Sequence, residues 1–245
     1  DQLEVVKRCA DRPYGMIVTA GPVGSGKTST VYACLNVVNS PTKSLLTIED
    51  PVERRVPGVT QIQIDFGALS LLKAECERVG ISHPLIVTDA GVKAVGLLDK
   101  AIAALPGLQV SVFDQTPSNP TETAVRAASA VYKQNGCDGL IALGGGSSMD
   151  TAKGCNFILT NGGRMEDYWG YGKAARPMLP SIAVPTTAGT GSEVARGAIL
   201  IVDDGRKLGF HSWHLMPKAA ICDPELTLAL PPLLTAATGM DAIAH

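Results

Sequence analysis

Apolar residues along this chain come in short runs, and the runs alternate between two periods. GMIVTA (15–20) is a short apolar run that reads as a strand, and STVYACLNVV after it repeats its apolar positions at helical spacing. KSLLTIED (43–50) predicts a second strand ending in two carboxylates, and PVERRVPG (51–58), rich in Pro and charge, predicts a loop. From residue 61 the pattern restarts. QIQID alternates as a strand does, LSLLKAECERVG is an amphipathic helix closed by Gly80, and PLIVTDAG is a buried-type strand ending at Asp89. VGLLDKAIAAL predicts a helix, LQVSVFDQT a strand, TETAVRAASAVYKQNG a helix and DGLIALGGG a strand. Further on, MLPSIAVPTT predicts a strand, GAILIVDDGRKLGF a hairpin about Asp204-Gly205, AAICDPELT a short strand and turn, and LLTAATGMDAIAH the start of a helix.

The strands are too apolar to have one wet face, and they alternate with helices. That combination predicts an α/β fold, a doubly wound Rossmann-like parallel sheet with helices on both sides. At 245 residues and 45% apolar content the chain can bury a substantial core. A formal charge of -2 provides no basic field for a polyanion, and nucleic acid is not an expected partner. The six cysteines have no paired spacing, which fits reduced thiols, mostly in the core, and a cytoplasmic setting. No apolar run approaches the roughly 18 residues of a membrane span, and no signal segment opens the chain. The chain begins at Asp1 and stops at His245 inside a predicted helix, as a fragment would.

GPVGSGKTST (21–30) fits the phosphate-loop pattern G-x-x-x-x-G-K-[ST]. In such a loop the backbone N–H groups of Gly21, Gly24 and Gly26 wrap phosphates, Lys27 reaches the terminal ones and Thr28 holds magnesium. A tight glycine turn between strand and helix is the plainer alternative. Residues 15–60, through GMIVTAGPVGSGKTSTVYACLNVVN and TIEDPVERRVPGVTQIQ, resemble the secretion and type IV pilus assembly ATPases. The resemblance implies ATP and magnesium at this loop and puts the acidic pair Glu49-Asp50 near the nucleotide. No second acidic strand follows residue 61 to organise magnesium and water, and that family's later histidine motif is absent. Residues 1–60 are therefore expected to be a piece of an ATPase core that does not hydrolyse ATP alone.

A second glycine loop lies in DGLIALGGGSSMDTAKG (138–154), where Gly144, Gly145, Gly146 and Ser147 leave a strand and enter a helix. Free N–H groups there can receive a pyrophosphate, although the spacing is that of neither G-x-G-x-x-G nor a phosphate loop. PTTAGTGSE (185–193) offers hydroxyls at Thr186, Thr187, Thr190 and Ser192 beside two glycines, suited to a ribose or carboxamide. Asp89, ending its strand, is either an acceptor for ribose hydroxyls or a turn residue or helix cap.

With these motifs, and with IDFGALSLLK, TPSNPTE, DGRKLG, AICDPELTL and TAATGMDAIAH, residues 61–245 resemble the iron-containing alcohol dehydrogenase family. The resemblance implies an NAD(P)-dependent oxidoreductase that moves hydride between a small alcohol or aldehyde and a nicotinamide. It assigns the cofactor pyrophosphate to Gly145, Gly146 and Ser147, with Asp150 in the same motif, and further cofactor contacts to Asp89, Asn119, Thr186, Thr187, Thr190 and Lys207. A carboxylate at Asp89 favours NAD over NADP by repelling a 2′-phosphate.

Asp241 and His245 stand four residues apart on the last predicted helix, so both can project from one face. The resemblance makes them the first ligands of a divalent metal, commonly iron and sometimes zinc, completed by two histidines downstream that this sequence lacks. His83, His211 and His214 read as ordinary polar or partly buried residues. The expected organisation is an ATPase-like segment over 1–60, an NAD(P)-binding domain over 61–229 and the start of an all-helical metal-binding domain over 230–245, joined near 58–65. Two readings are carried forward, dehydrogenase and phosphate-loop ATPase; a non-catalytic nucleotide-binding module is a third. Assembly into a homo-oligomer is left open.

Overall fold

A computed structural model describes residues 2–12, 14–22, 24–40, 43, 45–50 and 52–244. The elements in chain order are α1 (Gln2–Ala10), α2 (Lys27–Val38), β1 (Leu45–Glu49), β2 (Val59–Ile64), α3 (Leu72–Val79), β3 (Pro84–Val87), α4 (Ala90–Ala94) and α5 (Leu97–Ala103). After these come β4 (Ser111–Phe113), α6 (Glu122–Asn135), β5 (Gly139–Gly144), α7 (Gly146–Asn161), β6 (Gly170–Tyr171) and β7 (Ser181–Pro185). The last are β8 (Gly197–Ile201), β9 (Lys207–His211), β10 (Ala219–Cys222) and α8 (Pro232–Ala244).

Seven strands form one parallel sheet in the order β1-β2-β10-β7-β5-β3-β4. Strand alternation explains why both faces are covered. In β5, Ile141 and Leu143 point into a core with Leu72 and Cys76 of α3 and Leu97 and Leu98 of α5, while Leu140 and Ala142 point into a core with Ala128 of α6 and Met149 of α7. β3, β7 and β10 divide their residues in the same way. Each fully buried Ile or Leu contributes roughly 1.5–3 kcal/mol, which fixes the register and the doubly wound architecture expected from the sequence.

β8 and β9 pair as the predicted antiparallel hairpin, and β6 adds to β9. This small sheet packs Leu200 and Phe210 against Val125 of α6 and Phe157 of α7. Among the described residues, no helix is long and apolar enough to cross a membrane.

One expected element does not form. Residues 15–20 have no sheet partner, and Met16 and Val18 are 86% and 75% exposed. The strand before a phosphate loop is stable when neighbours cover it, but residues 15–20 do not take up the open edge of β1, the terminal strand of the sheet, and the run stays in solvent. Residue 60 lies inside β2, which joins β1 on one side and β10 on the other, so β1 belongs to the same seven-stranded sheet as β3, β4, β5, β7 and β10. The joint is sealed by Gln61, which is buried: its amide donates to Glu49 Oε1 (2.9 Å) and the Arg54 carbonyl (2.8 Å), and its oxygen accepts from Val56 N (2.8 Å).

Candidate functional site

The chain runs from β3 to β4 toward one edge of the sheet and from β5 to β7 toward the other. The carboxyl ends of β3 and β5 therefore lie side by side where the winding reverses, the place at which open α/β sheets leave a crevice. Asp89 follows β3, and the glycine loop follows β5. Asp89 caps α4, its Oδ1 accepting from Gly91 N (2.9 Å) and Val92 N (3.0 Å), and its Oδ2 accepts from Ser148 Oγ (3.0 Å). The carboxylate is thus a helix cap that also faces the glycine loop.

Gly144 has φ +144, and a Cβ on it would stand 2.4 Å from Ser148 Oγ, so only glycine passes from strand to helix here. Gly145 lies against Thr187 and Gly146 against Thr190, where an added Cβ would come within 3.1 and 3.2 Å of the side chains. The two threonines and two glycines form a shallow cradle over the N-terminus of α7. Thr186 is buried, and its N–H donates to the Gly144 carbonyl (3.0 Å), locking the end of β7 to the end of β5. Ser147 Oγ donates to the Ser118 carbonyl (2.7 Å) and brings the loop after β4 to the same place.

A cleft of about 760 Å³ opens from the cradle toward the β8–β9 hairpin. Eight of the candidate cofactor and metal residues line it, Asn119, Gly146, Ser147, Asp150, Thr190, Ser192, Lys207 and Asp241, whereas Asp89, Gly145, Thr186 and Thr187 do not. These residues, drawn from five separate segments of the chain, meet in one crevice.

A family model described as iron-containing alcohol dehydrogenase matches residues 60–224. The chain belongs to this family. A second model, described as type II/IV secretion system protein, matches residues 1–79. A 4-hydroxybutyrate dehydrogenase of Cupriavidus necator is 64% identical over 191 residues, covering 76% of this chain and 50% of that protein. An NAD-dependent methanol dehydrogenase of Bacillus methanolicus is 40% identical, covering 74% of this chain and 49% of its own. Among solved structures, a 1,3-propanediol oxidoreductase superposes with a TM-score of 0.73 at 37% identity, covering 74% of this chain and 48% of that one. A sulfoacetaldehyde reductase from Bifidobacterium kashiwanohense in complex with NAD+ gives a TM-score of 0.68 at 34% identity, covering 81% and 51%. The chain spans about half the length of the curated relatives it matches.

Within this family fold, Lys207 reaches toward Asn119, Nζ to Oδ1 3.4 Å, across the cleft mouth. Asp150 is turned inward: Oδ1 accepts from Ser192 Oγ (2.9 Å) and Oδ2 from Ile199 N (3.0 Å). Burial raises its carboxyl pKa, opposed by the Ile199 N–H, Lys153 and Ser192. Asp241, on α8, lines the cleft and approaches Gly189, whose φ of +94 and missing Cβ let the Thr238 carbonyl come within 2.5 Å of the position a Cβ would take. His245 lies outside the described residues. Among the described residues no three His, Cys, Asp or Glu side chains gather as a metal site.

His211, expected to be an ordinary polar or partly buried residue, lines the cleft, as do Arg196 and Trp213, which the sequence did not point to. His211 lies across Gly197 and Gly209 and stacks on Tyr171 with ring centroids 4.5 Å apart, and Arg196 sits 4.2 Å over the Trp213 ring. The alternation of β9 puts His211 on the same face as Lys207, a signal that could have found it. His83 is as expected, half-buried with Nε2 3.0 Å from Ser111 Oγ.

The first glycine loop is elsewhere. Gly24 and Gly26 are left-handed, α2 begins at Lys27, and Lys27 Nζ donates to the carbonyls of Gly21 (2.8 Å) and Pro22 (2.7 Å). Glu49 is engaged by Tyr32, Thr47 and Gln61 rather than turned to this loop.

Proposed function

We propose that this chain forms the NAD(P)-binding part of an iron-type alcohol dehydrogenase, and that the whole protein transfers hydride between an alcohol and a nicotinamide. The observation that carries this reading is the cradle of Gly145, Gly146, Thr187 and Thr190 over the start of α7, where a Cβ at either glycine would press on a threonine side chain. A pyrophosphate fits a backbone-lined hollow of that kind, where free N–H groups and the helix dipole meet it.

NAD(P), when bound, supplies the hydride acceptor. The chain's own residues bind and orient it. Gly145, Gly146 and Ser147 receive the pyrophosphate, Thr186, Thr187 and Thr190 surround it, and Lys207 with Asn119 meets the ribose at the hairpin side. Asp89 faces the adenosine ribose and favours NAD over NADP. Asp150, at the cleft wall, acts through Ser192 and Ile199. The domain limits 1–60, 61–229 and 230–245 remain part of this reading. So does the divalent metal, iron or zinc, to which Asp241 and His245 would contribute; Asp241 alone is not a metal site.

The likeness to a 4-hydroxybutyrate dehydrogenase supports a small terminal hydroxy acid or its aldehyde as substrate. Arg196, on the cleft wall, offers a guanidinium to the carboxylate of such a substrate. The six free cysteines support a reducing, cytoplasmic setting.

Calorimetric titration with NAD+ tests the proposal, with Gly145→Asp as control. Binding by the parent chain and loss in the variant are expected. Absence of binding by the folded parent chain would defeat it. The match over residues 1–79 favours Mg-ATP binding at Gly21, Gly24, Gly26, Lys27 and Thr28 as a second reading. Binding of Mg-ATP alone, abolished by Lys27→Ala, would put that reading first.

A further inference from the structure

Lys153 is a charged residue that the cofactor reading leaves unused. It lies on α7, seven residues after the glycine loop, and is only 6% exposed. Its ammonium donates to the carbonyls of Ser192 (2.7 Å), Ala195 (2.8 Å) and Gly197 (2.9 Å), with Ser192 Oγ at 3.3 Å. Asp150, one helical turn earlier, holds Ser192 Oγ and Ile199 N. One face of α7 therefore grips the segment from Ser192 to Ile199 at five points. That segment is a wall of the cleft, where Ser192, Ala195, Gly197 and Ile199 all face the space.

We propose that Lys153 is a positioning residue whose buried ammonium draws the carbonyls of residues 192, 195 and 197 to one point and so holds the segment from β7 to β8 in its cofactor-accepting shape. The inference rests on the cofactor reading above. Three carbonyl dipoles aimed at one point repel one another unless a cation lies between them. A neutral amine offers two N–H groups to three carbonyls and sets a lone pair against the third, so loss of one proton opens the grip.

The surroundings put that proton loss within an ordinary pH range. Burial pushes the Lys153 pKa down to about 8, while Asp150 on α7 and Glu193 on the gripped segment hold it up. Lys207, from β9, acts on Asp150 from the other side. Below pH 8 the ammonium is present and the wall is fixed; above it the wall is released.

The test follows the chain from pH 6.5 to 9.5 by amide hydrogen exchange over residues 192–199, corrected for intrinsic rates, and by NAD+ titration. In the parent chain both protection and affinity are expected to fall together through pH 8, the affinity by roughly tenfold, the scale of one hydrogen bond to a charged group. Lys153→Met should match the high-pH parent at every pH, flat in both readouts. If that variant does not fold, the pH series on the parent chain decides alone. Where NAD+ binds, constant protection and affinity, or a change in either without the other, would overturn the proposal. If the parent chain binds no NAD+, the cofactor reading fails separately. Exchange alone then judges the grip: constant protection overturns it, and a fall through pH 8 sustains it.

Discussion

Ser148 Oγ donates to Asp89 Oδ2 at 3.0 Å, tying the first turn of α7 to the carboxylate at the end of the neighbouring strand. The same carboxylate caps α4 through its other oxygen. One side chain thus joins the ends of β3 and β5 at the point where the sheet reverses its winding.

Asp89→Gly removes the cap and the Ser148 acceptor together. Glycine is itself a tolerated cap, so losing the cap costs only a few tenths of a kcal/mol; the buried Ser148 hydroxyl left without its acceptor sets the larger fall, roughly 1–3 kcal/mol, and discrimination between NAD+ and NADP+ should relax. Thermal unfolding and parallel titrations with the two cofactors measure both effects. Unchanged relative affinities would show that Asp89 serves the fold alone.

Gln61→Ala leaves Val56 N and the Arg54 carbonyl without their side-chain partner at the joint between β1 and β2. A loss of roughly 1–3 kcal/mol is expected for such unsatisfied buried groups. Hydrogen exchange should show the loss over residues 45–49, and NAD+ affinity should be unaffected because the joint lies at the sheet edge.

Asp138 shapes the acid side of the stability curve. Burial alone would raise its carboxyl pKa, but the Ser82 hydroxyl and the His83 and Ser82 N–H groups outweigh it and hold the folded value low. A group depressed on folding adds stability above its unfolded pKa and loses it as pH falls through the folded one. Asp138→Asn should flatten the decline in stability between about pH 4 and more acidic conditions, as followed by chemical denaturation at stepped pH.

The thiols should separate by burial. Cys76, Cys155 and Cys222 are pushed up to about 12 by burial, whereas Cys9 is exposed. The thiolate is the reactive form, so iodoacetamide at pH 8 should label Cys9 first and Cys76 and Cys155 only on unfolding. Mass spectrometry of the labelled peptides reads this directly. Early labelling of Cys155 would mean that α7 opens locally.

Hydrophobic period alone determined the alternation of strands and helices, because a strand buried on both faces and an amphipathic helix leave different patterns in the sequence. The glycine loop, the threonine segment and the hairpin turn at Asp204-Gly205 were also legible, since each requires particular backbone freedom or hydroxyl groups. The fate of residues 15–20 was not. Their apolar run is a strand only if another strand lies beside it, and neighbours are a property of the whole sheet. The double duty of Asp89 and the inward turn of Asp150 were decided by tertiary structure, because a carboxylate takes the nearest donors that folding delivers. Lys153 was invisible for the same reason. Its sequence context is that of an ordinary helix lysine, and only the approach of three carbonyls from a segment about forty residues away makes a buried cation stable there.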